Sequence, residues 1–263
     1  MSRAVVRDIE IDFDRSGAGP DMIWGHGLSS NRQHEDAREL FGWPRVREHC
    51  RLVRYDARGH GESHTSTDAE TFSWRSLAED QLALADHLGI DRYIAGGASM
   101  GCGTALHAAV LAPHRIERLL LAIPPTAWET RQERVAIWAQ MAGLVETQGI
   151  EALLAASAAM PSPDPLVGRA DQQAADQANV RATDPARLAQ VFRGAGHADL
   201  PDRVDVATIA VPTLILAWTG DAGHPTGTAH ELHGLIDGSE LFIASTWEDV
   251  STWSERVVDF ISR

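Results

Sequence analysis

Residues 92–113 read RYIAGGASMGCGTALHAAVLAP, and this stretch decides the fold. It begins as a short apolar run of strand type, passes through small residues, and continues as a helix-type sequence that stops before Pro113. At the change-over, Gly97-Ala98-Ser99-Met100-Gly101 fits the pattern G-x-S-x-G. A strand-to-helix turn this tight holds its central residue in a strained backbone conformation and requires small neighbours for packing. The turn lifts Ser99 above the sheet edge, beside helix N–H groups that have no intrahelical acceptor. Cys102, three residues on, points into the helix and reads as a small buried residue rather than a nucleophile.

Working outward, further apolar runs bounded by Gly, Asp or Pro recur: DMIWG at 21–25, RLVRYD at 51–56, RLLLAIPP at 118–125, PTLILAWTG at 212–220 and ELFIAS at 240–245. Helical periodicity fills several intervals, as in WRSLAEDQLALADHLG at 74–89. Strands alternating with helices predict a parallel sheet whose buried strands are apolar throughout. AVVRDIEIDFD at 4–14 alternates instead, as an edge strand or hairpin arm does. From Trp128 to Asp202 the alternation breaks into Ala-, Leu- and Gln-rich helical sequence around a Pro-rich turn, PSPDP. We therefore expect an α/β core from 1–127 and 203–263, with a helical cap inserted at 128–202 over the carboxyl edge, where open α/β sheets bind ligands.

Composition narrows the function classes. The net charge of -14 disfavours nucleic acid and anionic membrane surfaces, which are polyanions. The chain has no lysine, and Cys50 and Cys102 form no metal-type or disulfide-framework spacing, as in a reduced cytoplasmic protein. The opening residues lack a signal-peptide core, and no apolar run is long enough to span a bilayer. No motif implies a cofactor, and a monomer and a homodimer are both compatible with the sequence.

WGHGLSSN, at 24–31, follows the strand that starts at Met22. A His-Gly turn there leaves a backbone N–H free to hold an oxyanion, that of Leu28, with the N–H of Met100 as second donor. Together with YDARGHGES at 55–63, GGASMG, and VPTLILAWTGDAGHP at 211–225, these residues resemble the α/β-hydrolase superfamily over nearly the whole chain. The resemblance implies an eight-stranded, mostly parallel sheet with helices on both faces, and a nucleophile–acid–histidine triad. It places Ser99 as nucleophile and Asp221 as acid. Asp56, Arg58, Gly59 and Gly61 read as structural loop residues.

A serine hydroxyl needs a base, and the family's chain order is serine, acid, histidine, with the histidine just after the last strand. Here that place, in LFIASTWEDVSTWSERVVDFI at 241–261, holds Thr246 and Trp247, and the last histidine of the chain is His233. A base must be borrowed. His224, three residues after Asp221, is one candidate; its alternative reading is a capping-region residue, with Pro225 in the first helical turn. His197, in GAGHADLP, is a second, and Glu248 or Asp249 would be weak carboxylate bases.

The other histidines carry blander readings. His230 and His233 read as a solvated helix face rather than as a metal site with His224 and Asp221, so no metal is expected. His26 and His60 read as turn residues, His107 as a packed or surface histidine, and His34 as unassigned near the pocket. Trp128, Trp138, Trp218 and Trp247 suggest walls for a small hydrophobic or aromatic substrate, or plain core packing. Two functions follow: a serine hydrolase of a small ester, thioester or lactone with a relocated base, or a hydrolase-like binding protein with little or no catalysis.

Overall fold

The computed structural model describes residues 2–64, 66 and 68–263. Eight strands form one sheet: β1 (Ser2–Val6), β2 (Ile9–Gly17), β3 (Asp21–Gly25), β4 (Arg51–Tyr55), β5 (Tyr93–Ala98), β6 (Ile116–Ala122), β7 (Thr213–Trp218) and β8 (Glu240–Ala244). Their order is β1-β2-β4-β3-β5-β6-β7-β8. The alternating N-terminal stretch forms the β1–β2 hairpin, and β2 joins β4 antiparallel. Every pairing from β4 through β8 is parallel.

Side chains of neighbouring residues leave a strand on opposite faces. Ile23, Leu119 and Leu121 accordingly enter one core layer, with Leu77, Leu84, Ala105 and Leu232 from helices Trp74–His87, Met100–Leu111 and Thr226–Leu235. Met22, Trp24 and Leu120 enter the other, against Trp253, Val257 and Phe260 of the C-terminal helix Trp253–Ile261. Both faces are covered, which is why β7 is buried along its whole length.

Between β6 and β7 lie helices Val135–Gln148, Ile150–Ala158, Ala170–Ala182 and Pro185–Ala195 and three shorter helical turns, Glu129–Gln132, Asp164–Leu166 and Arg203–Val206. Ala142, Val145, Leu153, Leu188 and Phe192 form a small apolar cluster of their own there. Trp138 stacks on Phe192 within it rather than facing a ligand cavity.

The 55–63 loop is a buried ionic fixture. Arg58 reaches Asp80 and Asp8 with paired contacts of 2.8–3.1 Å, and Asp56 takes Arg32. Gly61 adopts φ 48° where a Cβ would overlap the Asp56 carboxylate, so glycine is required.

Candidate active site

β5 ends at Ala98, and the helix Met100–Leu111 begins one residue later. Ser99, between them, has φ 52° and ψ -107°, the strained conformation expected of a serine at such a turn. The turn closes because Gly97 and Gly101 have no side chains: a Cβ on Gly101 would overlap the Gly25 carbonyl. Gly27 packs beside Ser99, so the 26–30 loop borders the serine.

Two neutral histidines hold that loop. His26 Nε2 accepts from the Ala57 N–H at 2.9 Å, which leaves Nδ1–H to donate to the Gly27 carbonyl at 2.7 Å. His60 Nε2 accepts from the Ser29 N–H at 3.2 Å, and its Nδ1–H donates to Arg58 O at 2.9 Å. Burial lowers both pKa values, that of His60 to about 3. The N–H of Leu28 has no acceptor among the described residues. Met100 is the first residue of its helix, where an N–H lacks an intrahelical acceptor.

The acid loop follows β7 directly. Asp221 Oδ1 accepts from the N–H groups of Gly223 at 2.7 Å and His224 at 3.2 Å. Oδ2 accepts from Trp218 Nε1 at 2.9 Å and pairs with His224 Nδ1 at 2.7 Å. Burial alone would raise the Asp221 pKa, but these partners, His224 foremost, hold it well below the usual carboxylate range. An ionised carboxylate only accepts, so His224 Nδ1 carries the proton and Nε2 is free to accept. Nε2 lies 2.8 Å from Ser99 Oγ. Asp221, His224 and Ser99 thus form one hydrogen-bonded chain.

The place after β8 is occupied by something else. Thr246 caps a short helix, Trp247–Ser251, in a reciprocal capping box with Asp249. Asp249 accepts from the Ser245 and Thr246 N–H groups at 2.9 and 3.0 Å and is committed to that cap. None of these residues lines the cavity at Ser99.

That cavity, about 270 Å³, is bordered by Ser99, His224 and Leu28. Leu40, Phe41, Ile123 and Val180 supply apolar lining; Ser30, His34, Glu35, Arg38, Asp176 and Asn179 supply polar lining. The expectation of an aromatic-walled pocket therefore needs correction. Trp128 is buried in the core, where its indole donates to Pro201 O at 3.0 Å and its ring lies under Arg203. Trp247 is covered by Arg169, 3.8 Å from its ring centre. Neither lines the cavity, and His197 is exposed in the turn after Pro185–Ala195, also away from it. Pro225 precedes the helix that starts at Thr226 instead of sitting in its first turn.

Two features escaped the sequence reading. Trp218, taken for a pocket wall or core residue, is a core residue, stacked on Trp253, whose indole also orients Asp221. The polar lining of the cavity depends on how helix Ala170–Ala182 docks, and no local pattern announces that. The Trp218–Asp221 spacing of three across a glycine turn was the one available hint.

Residues 26–158 match the family model described as alpha/beta hydrolase fold. The chain belongs to the alpha/beta hydrolase fold family. Within this family it is similar to 3-oxoadipate enol-lactonase 1 of Acinetobacter baylyi, 30% identical over 172 residues, 65% of this chain and 61% of that protein. The matched stretch thus spans less than two thirds of that relative. Among solved structures, this alpha/beta hydrolase superposes on the enol-lactonase from Burkholderia xenovorans LB400 with a TM-score of 0.84 and 25% identity, covering 100% of both chains. It superposes equally on a hydrolase from Pseudomonas aeruginosa PA01, TM-score 0.84 and 26% identity, covering 100% of this chain and 98% of the other.

Proposed function

We propose that this protein is a serine-dependent hydrolase of small carboxylic esters or lactones, with its catalytic base moved from the loop after β8 into the acid loop. The observation that carries the reading is the Asp221–His224–Ser99 hydrogen-bond chain, with contacts of 2.7 and 2.8 Å. In this reading residues 128–202 act as a cap over the site.

Asp221 fixes the His224 tautomer, and His224 Nε2 takes the Ser99 proton as Oγ attacks the carbonyl carbon. The negative charge that develops on the carbonyl oxygen is held by the N–H groups of Leu28 and Met100. His224 then returns its proton to the leaving alkoxide, which in a lactone stays attached through the acyl chain. Water, deprotonated by His224, releases the acyl group from Ser99 by the reverse sequence.

The test is the rate of Ser99 labelling by a fluorophosphonate probe. Labelling is expected to vanish in Ser99→Ala, and to collapse in His224→Ala but not His197→Ala. Slow labelling indifferent to His224 would sink the hydrolase reading and leave a ligand-binding protein.

A further inference from the structure

The polar lining of the cavity holds a second Asp–His–Ser chain. His34 Nε2 lies 2.9 Å from Asp176 Oδ1, and His34 Nδ1 lies 2.9 Å from Ser30 Oγ. All three residues border the same cavity as Ser99 and His224. The ring is nearly buried, while Asp176 is 48% exposed in its side chain. Ser30 does not sit at a strained strand-to-helix turn, and its ring contact is through Nδ1 rather than Nε2. The arrangement therefore lacks the build of a second nucleophile.

Its mounting is rigid. Arg32, two residues after Ser30 and the first residue of helix Arg32–Arg38, is tied to Asp56 and Asp12 in the core. The Asn31 side chain caps helix Arg32–Arg38 by accepting from the His34 N–H at 2.9 Å, and donates to Asn179 Oδ1 at 2.8 Å. Asn179 donates in turn to the Ser29 carbonyl at 2.6 Å. On the far side Arg38 Nε donates to Gln172 Oε1 at 3.1 Å and lies 3.4 Å from Asp176.

The hydrogen-bond roles follow from the partners. A carboxylate only accepts, so in the neutral ring Asp176 fixes the proton on Nε2 and leaves Nδ1 as an acceptor. The Ser30 hydroxyl then points its hydrogen at His34. What Ser30 Oγ has left for the cavity, which it shares with the apolar Leu40, Phe41 and Ile123, is lone-pair density. An acceptor preset in this way fits a donor on the bound molecule, because a buried polar group left unpaired weakens binding.

We propose that Asp176 and His34 position Ser30 Oγ as a hydrogen-bond acceptor that selects esters or lactones carrying a hydroxyl. This deepens the hydrolase reading by naming a substrate class for the same cavity. His34 and Asp176 are positioning residues; Ser30 makes the contact.

The test separates binding from turnover. In a Ser99→Ala background, binding of α-hydroxy-γ-butyrolactone and of γ-butyrolactone is compared by titration calorimetry. The hydroxylated lactone is expected to bind about tenfold more tightly, the scale of one neutral hydrogen bond in a shielded site. Adding Ser30→Ala should bring the ratio close to one, Ser30→Thr should keep it, and His34→Leu or Asp176→Asn should reduce it. A merely structural role would weaken both lactones together and leave the ratio unchanged. Equal binding of the two lactones, no measurable binding of the hydroxylated one, or a ratio insensitive to Ser30→Ala would overturn the proposal. If Ser99 labelling is slow and indifferent to His224 while the binding ratio responds to Ser30→Ala, the hydrolase reading fails and the recognition proposal stands.

Discussion

Replacing His224 by alanine removes the group that links Asp221 to Ser99, since the ring makes both contacts, at 2.7 and 2.8 Å. A positioned general base contributes about 10²–10⁴ in rate, and losing it also leaves the hydroxyl unactivated. We expect kcat/KM for a p-nitrophenyl ester to fall by about 10³–10⁴, equivalent to about 4–5.5 kcal/mol of transition-state stabilisation. Catalysis above the buffer rate should persist, because the Leu28 and Met100 N–H groups are untouched and triad knockouts keep such residues' contribution. The companion variant His224→Ala/Trp247→His restores a histidine to the loop after β8. It should not recover activity, because Trp247 opens a capped helix outside the Ser99 cavity. The assay is steady-state hydrolysis with active-site titration to confirm equal folded fractions. A loss below tenfold in His224→Ala, or rescue by Trp247→His, would refute the relocated base.

Trp218→Phe deletes the indole donor 2.9 Å from Asp221 Oδ2, a hydrogen bond to a charged group worth about 1.5–3 kcal/mol; kcat should fall about tenfold with KM little changed, as steady-state kinetics would show. Gly101→Ala would drive a Cβ into the Gly25 carbonyl, so fluorophosphonate labelling and urea stability should both drop sharply; a wild-type midpoint would refute the close packing. Glu35 is pushed up to about 7 by burial, partly offset by the Trp24 indole at 2.8 Å. Between about pH 4.5 and 7 the unfolded chain has released that proton and the folded chain has kept it, so this group makes stability fall as pH rises, by up to about 3 kcal/mol. Glu35→Gln should remove that component, seen as a larger wild-type-minus-mutant difference in urea midpoint at pH 5 than at pH 8. His60, lowered to about 3, acts in the opposite sense. Its stabilising contribution is complete above the unfolded histidine value and is lost as pH falls toward 3, so acid unfolding in that window should be blunted in His60→Gln, measured by circular dichroism against pH.

What could be read from the sequence was local. The elbow announces itself because strand, glycine, serine, glycine and helix are consecutive, and each has a steric reason visible in the letters. The parallel strands were legible for the same reason: a strand buried on both faces is apolar throughout, as β7 is. His224 was legible as a candidate because its distance from Asp221 along the chain is three residues. The tryptophans misled because burial and pocket lining leave the same composition signal. Trp128 and Trp247 are each covered by an arginine, Arg203 and Arg169, from parts of the chain about 75 residues away. Ser30, His34 and Asp176 were illegible as a group, since two come from one loop and helix and the third from the inserted segment.

The proposed relocation of the base has a geometric logic. Proton transfer from Ser99 requires only that Nε2 reach Oγ while Nδ1 meets a carboxylate; it does not matter which strand end carries the ring. With acid and base on separate loops, their distance depends on how two strands and two loops pack. With both in one turn, Asp221 Oδ1 pins the Gly223 and His224 backbone while Oδ2 holds the His224 ring, so the pair moves as a unit. The turn is then secured from outside by Trp218 on β7 and by the Thr126 N–H, which donates to the Gly223 carbonyl at 3.0 Å. In the proposed reading the loop after β8 is released from catalysis, and its sequence is free to form the Thr246–Asp249 cap. On that reading the histidine missing from residues 241–261 and the histidine present at 224 are two consequences of one rearrangement.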